Sequence, residues 1–459
     1  MYKSQNIKRL SILLAFSIVL CTLFYLFPSK LTYAASSFPA MLPISRGVPA
    51  FGSVGVASNA NDNNYGTAWY GGGTSWLAYD LSSVPVDQRK QIIVVWYNTD
   101  TYDYDTTQVN TSSYHKPKNY TIEANSASGG SSSAPTSGWT VLATVSNNNY
   151  HSRQHLVDFT GYNWIRINIT DSLTNSVNIN MDIHNASLGT QDDWIIYGDS
   201  ITAGGTALNG NGKGTIAQIV NSTNSAHFPV VECGGTGSIL SRHGSASIDA
   251  WLSVFPGKYV GVAFGTNDAW GNQTGADNYY KNMVTIVNAI ISAGKVPVVA
   301  KIPWSNLTAI SQNLPSYNAK IEELYLAYPE IIKGPDFYTF FQNNPTLISS
   351  DNVHPSTEGY NAMREQWAKV ILSIYENSTV TPTPSSPSFV YGDINGSGAL
   401  DSIDFGLLRQ YLLGMKTSFD YTYGAKAADV NNDGAINSID FGLMRQRLLG
   451  IITKFPAES

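Results

Sequence analysis

Two rhythms of apolar and polar positions divide this chain. Between residues 36 and 188 the apolar residues come in short runs, such as 91–97 (QIIVVWY), 120–123 (YTIE) and 164–169 (WIRINI), separated by Asn, Gly and Ser clusters such as 126–133. No long helical period interrupts them, and short strands between frequent turn signals predict an all-β sandwich. From Gln191 the rhythm changes. Apolar runs at 194–197, 230–233, 260–264 and 296–302 alternate with helical stretches at 278–293, 316–327 and 357–375, the first of them stopped by Gly294. That alternation predicts a parallel sheet covered on both faces, with chemistry at the carboxyl ends of the strands.

The ends of the chain read differently. Residues 1–34 carry Lys3, Lys8 and Arg9, then an apolar run over 10–27, then small residues around Ala34, the form of a secretory signal peptide cleaved near Ala34. An uncleaved membrane anchor is the alternative, and no later segment could span a bilayer. Residues 377–389 are rich in Pro, Thr and Ser and are expected to form an extended linker. Three folded units are therefore expected, at 36–188, 191–376 and 390–455.

Composition narrows the functions. The chain is 43% hydrophobic and 13% charged, with 27 Tyr and 10 Trp. That aromatic surplus suits sandwich cores and sugar-stacking surfaces alike. Residues 1–34 hold four cations (Lys3, Lys8, Arg9, Lys30) and no acid, so their removal takes the formal charge from −6 to −10. Such acidity disfavours nucleic acid as a partner. Of two cysteines, Cys21 lies in the signal and only Cys233 remains, so no intramolecular disulfide is available.

The last 70 residues contain one unit twice. DINGSGALDSID, from Asp393 to Asp404, recurs as DVNNDGAINSID, from Asp429 to Asp440, and each copy runs on into a similar helical segment ending Leu-Leu-Gly. Calcium asks for about six to eight oxygen ligands on a loop that turns sharply at its sixth position. Asp393, Asn395, Ser397, Asp401 and Asp404 stand at positions one, three, five, nine and twelve, with Gly398 at six and the Ala399 carbonyl at seven. The second copy places Asp429, Asn431, Asp433, Asn437 and Asp440 there, with Gly434 and Ala435. Three carboxylates per loop offset a divalent charge, so two calcium ions are expected. No helix of EF-hand type precedes either loop, and position twelve is Asp where an ordinary EF-hand has Glu.

Over residues 391–454 the repeat resembles a type I dockerin. The resemblance implies that each half binds calcium and that the module docks onto a cohesin of a scaffold protein in a cellulosome. The cohesin-facing positions it implies are Ser402, Ile403 and Arg409 in one copy and Ser438, Ile439 and Arg445 in the other. Two near-identical faces imply that either can dock, and Ile at the eleventh position leaves the cohesin type open.

The segment WIIYGDSITAGG, residues 194–205, ends a buried strand on a serine. Ser200 at a strand-to-helix turn has a backbone N–H and a helix N-terminus to offer a developing oxyanion, but serine needs a base. The histidines are His115, His151, His155, His184, His227, His243 and His354. Four lie in the β region, and His227 and His243 have no acid at a suggestive spacing. His354 has Asp351 three residues upstream, in SDNVHP, just before the last helical stretch. That spacing lets the carboxylate orient the imidazole while its other nitrogen faces Ser200. Asn267, in FGTND after the 260–264 strand, and the Gly237 N–H, in CGGTGS after the 230–233 strand, are candidate oxyanion donors; Asp268 reads as structural.

These four blocks, in order, resemble the SGNH subfamily of GDSL-type hydrolases. The resemblance spans about 191–376 and implies a three-layer α/β/α fold that hydrolyses esters without a catalytic cofactor. It maps Ser200 as nucleophile, His354 as base and Asp351 as orienter, and assigns the oxyanion hole to the Ser200 and Gly237 N–H groups and the Asn267 side chain. The second block departs from the pattern, with Glu232-Cys233 where Asn is frequent, which bears on the choice of Gly237. Residues 36–188 resemble the galactose-binding-like, discoidin-type sandwich, through NDNNYGTAW (61–69), WLAYDL (76–81), YTIE (120–123) and GWTVL (138–142); such domains bind sugars or brace a neighbouring catalytic domain. Together these readings imply a secreted, cellulosome-associated esterase acting on an O-acetylated plant polysaccharide such as xylan. Trp270 and Trp304 are candidate sugar-stacking or core residues. A lipase or thioesterase on the same fold is the rival, although 203–228 shows no long apolar lid. A non-catalytic carbohydrate-binding component is the rival of another kind.

Overall fold

The computed structural model of the chain describes residues 38–98, 115–207, 214–377, 390–397, 399–421 and 423–458. The expected signal peptide, the expected linker from residue 378 on, and Gly398 lie outside them.

The first unit is two antiparallel sheets. Strands β1 (Ala50–Gly52), β3 (Ser75–Asp80), β8 (Trp164–Ser172), β5 (Pro117–Asn125) and β6 (Thr140–Val145) form one, in that order. Strands β2 (Trp69–Gly72), β9 (Ser176–Asn185), β4 (Gln91–Asn98) and β7 (Ser152–Asp158) form the other. Side chains alternate across each strand. Leu77 and Tyr79, Ile165, Ile167 and Ile169, and Ile122 turn inward to meet Trp69, Val94 and Trp96 in a closed core. Strand β4 reads as an unbroken apolar run because both its faces are covered: Ile92, Val94 and Trp96 enter the core, while Ile93, Val95 and Tyr97 pack with Met41, Tyr65 and Ala186 of the same unit and with Val230 of the next.

The second unit is a five-stranded, all-parallel sheet in the order β11 (Val230–Gly235), β10 (Asp193–Gly198), β12 (Tyr259–Ala263), β13 (Val296–Lys301), β14 (Ile332–Asp336). Helices cover both faces. Ile195 and Tyr197 of β10 pack with helices Ser241–Leu252, Ala276–Ser292 and Leu314–Ala327. Trp194 and Ile196, pointing the other way, pack with Ile201, Val220, Met363, Trp367 and Ile371 from helices Ser200–Thr206, Ile216–Thr223 and Thr357–Asn377. Strand β12 begins and ends one residue before the expected run, since Phe264 already leaves the ladder.

The C-terminal unit pairs helices Ser402–Leu412 and Ser438–Leu448 around Ile394, Leu408, Val430, Met444 and Phe455. The equivalent Phe405 and Phe441 rings stack at 4.2 Å, marking the internal symmetry. A five-residue helix, Gly424–Ala428, runs into the second loop. Among the described residues no helix is long and apolar enough to cross a membrane.

A buried polar seam joins the first two units. The Ser152 hydroxyl on β7 donates to Glu232 of β11 at 2.8 Å. Burial pushes the Glu232 carboxyl up to about 7, the Ser152 hydrogen bond only partly offsetting it. Its folded value lies above the ordinary 4.5, so the folded chain holds this proton more tightly than the unfolded one. Stabilisation is full below about pH 4.5 and is lost as pH rises through about 7. A Glu232→Gln variant is expected to lose part of the fall in unfolding temperature between pH 5 and 7.5, a difference on the order of 3 kcal/mol at most. Thermal unfolding followed by tryptophan fluorescence checks it.

Candidate active site

Ser200 stands where β10 ends, flanked in the sheet by β11 and β12. Asp199 caps its helix, accepting the Ile201 N–H at 3.0 Å, and burial raises the Asp199 carboxyl to about 6. The turn is tight on both sides. A Cβ on Gly198 would sit 2.1 Å from the Thr202 hydroxyl, and one on Gly235 would sit 2.3 Å from the Ala203 nitrogen. The helix therefore lies against backbone that only glycine provides.

The 349–355 loop brings His354 to this turn across 154 positions: Ser200 Oγ lies 2.9 Å from His354 Nε2. His354 Nδ1 lies 2.7 Å from Asp351 Oδ2. With the Nδ1 proton donated to the carboxylate, Nε2 is left to accept the serine hydroxyl. Asp351 Oδ1 accepts the Val353 N–H at 2.8 Å, the His354 N–H at 2.9 Å and the Ser349 hydroxyl at 2.8 Å. Partial burial alone would raise this carboxyl, but those bonds and the imidazole outweigh it and hold it well below the usual range. Asn352 takes a left-handed φ of 64°, and its carbonyl accepts the Ser305 hydroxyl and the Leu307 N–H, at 2.8 and 3.1 Å. Residues after β13 thus clamp the loop that carries the imidazole.

The expected oxyanion donors lie after the two strands that neighbour β10 in the sheet. Asn267 is the second residue of a short helix after β12, Thr266–Ala269, and its Nδ2 donates to the Ile239 carbonyl at 2.9 Å. That bond ties it to the turn after β11, where Gly237 lies, and uses one of the two amide hydrogens. Asp268 is buried and accepts the Ser241 N–H and hydroxyl and the Thr274 hydroxyl, at 2.9, 2.6 and 2.7 Å, which fixes the same turn from beneath. Trp270 is 40% exposed beside Asn267. Trp304 is half-buried against both helical layers.

In the C-terminal loops, Asp401 and Asn437 cap the helices by accepting the Ile403 and Ile439 N–H groups, each at 2.7 Å. Asp404 and Asp440 are buried and hold each loop shut, accepting the Ile394, Asn395 and Asp401 N–H groups in one copy and those of Val430 and Asn437 in the other. Asp393 and Asn395 both accept the Ser397 N–H, while Asp429 and Asn431 accept that of Asp433 and Asp433 accepts that of Ala435. Among the described residues no three acidic, imidazole or thiol groups by themselves form a metal cluster; a cation here also needs the Asn, Ser and carbonyl oxygens, including those of Ala399 and Ala435. This all-oxygen set fits calcium. Ser402, Ile403, Arg409, Ser438, Ile439 and Arg445 are all exposed.

A profile of the GDSL-like Lipase/Acylhydrolase family matches residues 196–362, and one of the Dockerin type I domain matches 391–449. The chain carries a GDSL-like acylhydrolase domain and a type I dockerin domain. No curated protein matches it. Among solved structures, the dockerin segment is similar to a complex of the third ScaC cohesin with a mutated ScaB dockerin from Acetivibrio cellulolyticus (47% identity, 15% of this chain, 96% of that one, TM-score 0.15). Another similar structure is a carbohydrate esterase family 3 from Talaromyces cellulolyticus (16% identity, 40% of this chain, 98% of that one, TM-score 0.34). A third is a mutant of chitosan-binding module 1 from a Paenibacillus chitosanase/glucanase (17% identity, 31% and 98% coverage, TM-score 0.24).

The sequence shows no acid at a suggestive spacing from His227, and in the fold its partner comes from 35 positions away. His227 Nδ1 lies 3.3 Å from Asp192, whose carboxyl also accepts the Tyr375 hydroxyl at 2.5 Å. The three come from distant parts of the chain, so no spacing signals them, and they are buried at the far end of β10 from Ser200. Because Gly235 abuts backbone, Gly235→Ala is expected to destabilise the GDSL domain by about 1–3 kcal/mol and to displace the Ser200 helix. Denaturant unfolding with ester hydrolysis on the same samples checks it; unchanged values would mean that the helix can move away freely.

Proposed function

We propose that the protein is a secreted, cellulosome-associated carbohydrate esterase that removes O-acetyl groups from a plant cell-wall polysaccharide, xylan above others, by a Ser-His-Asp mechanism. The observation that carries the chemistry is the continuous line from Asp351 through His354 to Ser200, at 2.7 and 2.9 Å. Ser200 Oγ attacks the ester carbonyl as His354 Nε2 takes its proton. The Ser200 and Gly237 N–H groups and the Asn267 amide hold the developing oxyanion. His354 returns the proton to the departing sugar hydroxyl, and water, activated by the same imidazole, then releases acetate. Asp351 stays ionised throughout and keeps the imidazole in the required tautomer.

Trp270, beside the donor Asn267, is the residue we assign to the sugar ring, with Trp304 supporting it. An apolar acyl channel finds little support: the helix Ile216–Thr223 spends Ile216, Ala217 and Val220 on the core. The dockerin supports extracellular assembly. It binds calcium; we propose one ion per loop, and docking to a cohesin through Ser402, Ile403 and Arg409 or through Ser438, Ile439 and Arg445.

Acetate release from acetylated xylan is expected to fall about 10⁴-fold in Ser200→Ala and about 10²–10³-fold in Asn267→Ala. Equal rates in the native protein and Ser200→Ala would end the serine mechanism, and a preference for long-chain over acetyl aryl esters would favour a lipase. Chelation is expected to abolish cohesin binding while sparing aryl acetate hydrolysis; a titration calorimeter and a colorimetric assay on one sample separate the two.

A further inference from the structure

The two oxyanion donors proposed outside the Ser200 turn meet at one short segment, residues 236–241, which follows β11. Several bonds fasten it. The Thr236 N–H donates to the Gly198 carbonyl at 3.0 Å, beside the Ser200 turn. The Ile239 carbonyl accepts Asn267 Nδ2, and Ser241 gives its N–H and hydroxyl to Asp268. The Ser241 hydroxyl also accepts Asn282 Nδ2 at 2.9 Å. Ser238, directly after Gly237, takes a left-handed φ of 60°, a conformation that a serine keeps only where its surroundings impose it.

A further fastening is an imidazole. Leu240 is the N-cap of helix Ser241–Leu252 and has no side-chain oxygen with which to cap it. His243, in the first turn, reaches back instead, and its Nδ1 accepts the Leu240 N–H at 3.0 Å. Three other helices close in the same way, through Gln218 on the Thr215 N–H, Asp404 on that of Asp401 and Asp440 on that of Asn437. An imidazole differs from those oxygens in one respect. Once protonated, both its nitrogens are donors, and the Leu240 N–H has no acceptor.

The bond therefore exists only with a neutral ring. Burial and the Arg242 guanidinium of the same helix push this ring below the ordinary 6.5, while Asp268, from the helix after β12, pulls the other way. Among the described residues these two are the charges that act on it. The positive end of helix Ser241–Leu252 likewise disfavours an imidazolium in its first turn. We propose that His243 is a positioning residue for the acyl-transfer site: its neutral imidazole fixes the 236–241 turn, and protonation frees the Leu240 N–H and lets the Gly237 N–H and the Asn267 amide drift from the oxyanion. The inference rests on the Ser-His-Asp reading and adds a second histidine to it. Both His354 and His243 must then be neutral for full activity, so the acid limb of the rate profile falls by more than about tenfold per pH unit where both rings charge.

The test is the pH profile of aryl acetate hydrolysis by the full chain, from about pH 4.5 to 8, in the parent, His243→Ala and His243→Gln, with hydrogen exchange of the 236–243 peptide followed by mass spectrometry. His243→Ala is expected to lose about tenfold in kcat near neutrality and to exchange faster over this peptide. Gln does not titrate and already serves at the same place in helix Ile216–Thr223. His243→Gln is therefore expected to recover most of the rate and the protection, while its acid limb relaxes to about tenfold per pH unit. Unchanged exchange in His243→Ala overturns the proposal, as does an acid limb in His243→Gln as steep as the parent's. Should His243→Ala fail to fold, the slope in His243→Gln decides alone. Ser200→Ala, assayed beside them, reports on the esterase reading by itself: parent-like activity there removes that reading, whereas its loss there together with parent-like His243 variants removes only the role of His243.

Discussion

The contact on which the proposed chemistry depends is the hydrogen bond between the Ser200 hydroxyl and the His354 imidazole. Neither group reaches the other by local structure. Ser200 is held by a tight turn that glycines at 198 and 235 permit, and His354 by a loop whose Asn352 carbonyl is gripped from the end of β13. The parallel sheet converts this distance in sequence into proximity, because every strand delivers its carboxyl end to the same edge. Asp351 contributes twice: one oxygen orients the imidazole, and the other ties down the loop's own N–H groups. A carboxylate with so many donors stays charged well into acid, so the imidazole keeps its orienting partner there.

Charge is managed differently in two parts of the folded chain. In the dockerin, carboxylates line turns that a divalent cation can neutralise, and the buried Asp404 and Asp440 brace each turn through backbone N–H groups. Between the sandwich and the GDSL domain, carboxyls such as Glu232 are buried beside hydroxyl and amide groups, and burial itself keeps them protonated further up the pH scale. The first arrangement would couple the proposed docking to calcium, and the second couples the seam to pH.

Much of this was legible in the sequence, for physical reasons. The strands that end on Gly198, Gly235 and Ala263 are buried on both faces, so they read as largely apolar runs, the one ending on Gly235 interrupted by the buried Glu232, and the Asp351–His354 spacing is local. Other elements left little trace. Strand β14, Ile-Lys-Gly-Pro-Asp, is an edge strand with one flank to satisfy, and tertiary pairing with β13 rather than propensity makes it extended. The helix Ser241–Leu252 is polar over most of its length and buries little besides Ile248, Trp251 and Leu252. The Arg46–Tyr65–Asp182 cluster and the Asp192–His227 pair unite residues with no shared period, so only the folded chain brings them together.

The most direct test of the central contact is covalent capture. Incubation with a fluorophosphonate, followed by peptide mass spectrometry, is predicted to place a single adduct on Ser200 in the native chain, at a rate that collapses in His354→Ala. An adduct on another residue, or equal labelling of Ser200 without the imidazole, would contradict a serine activated by His354.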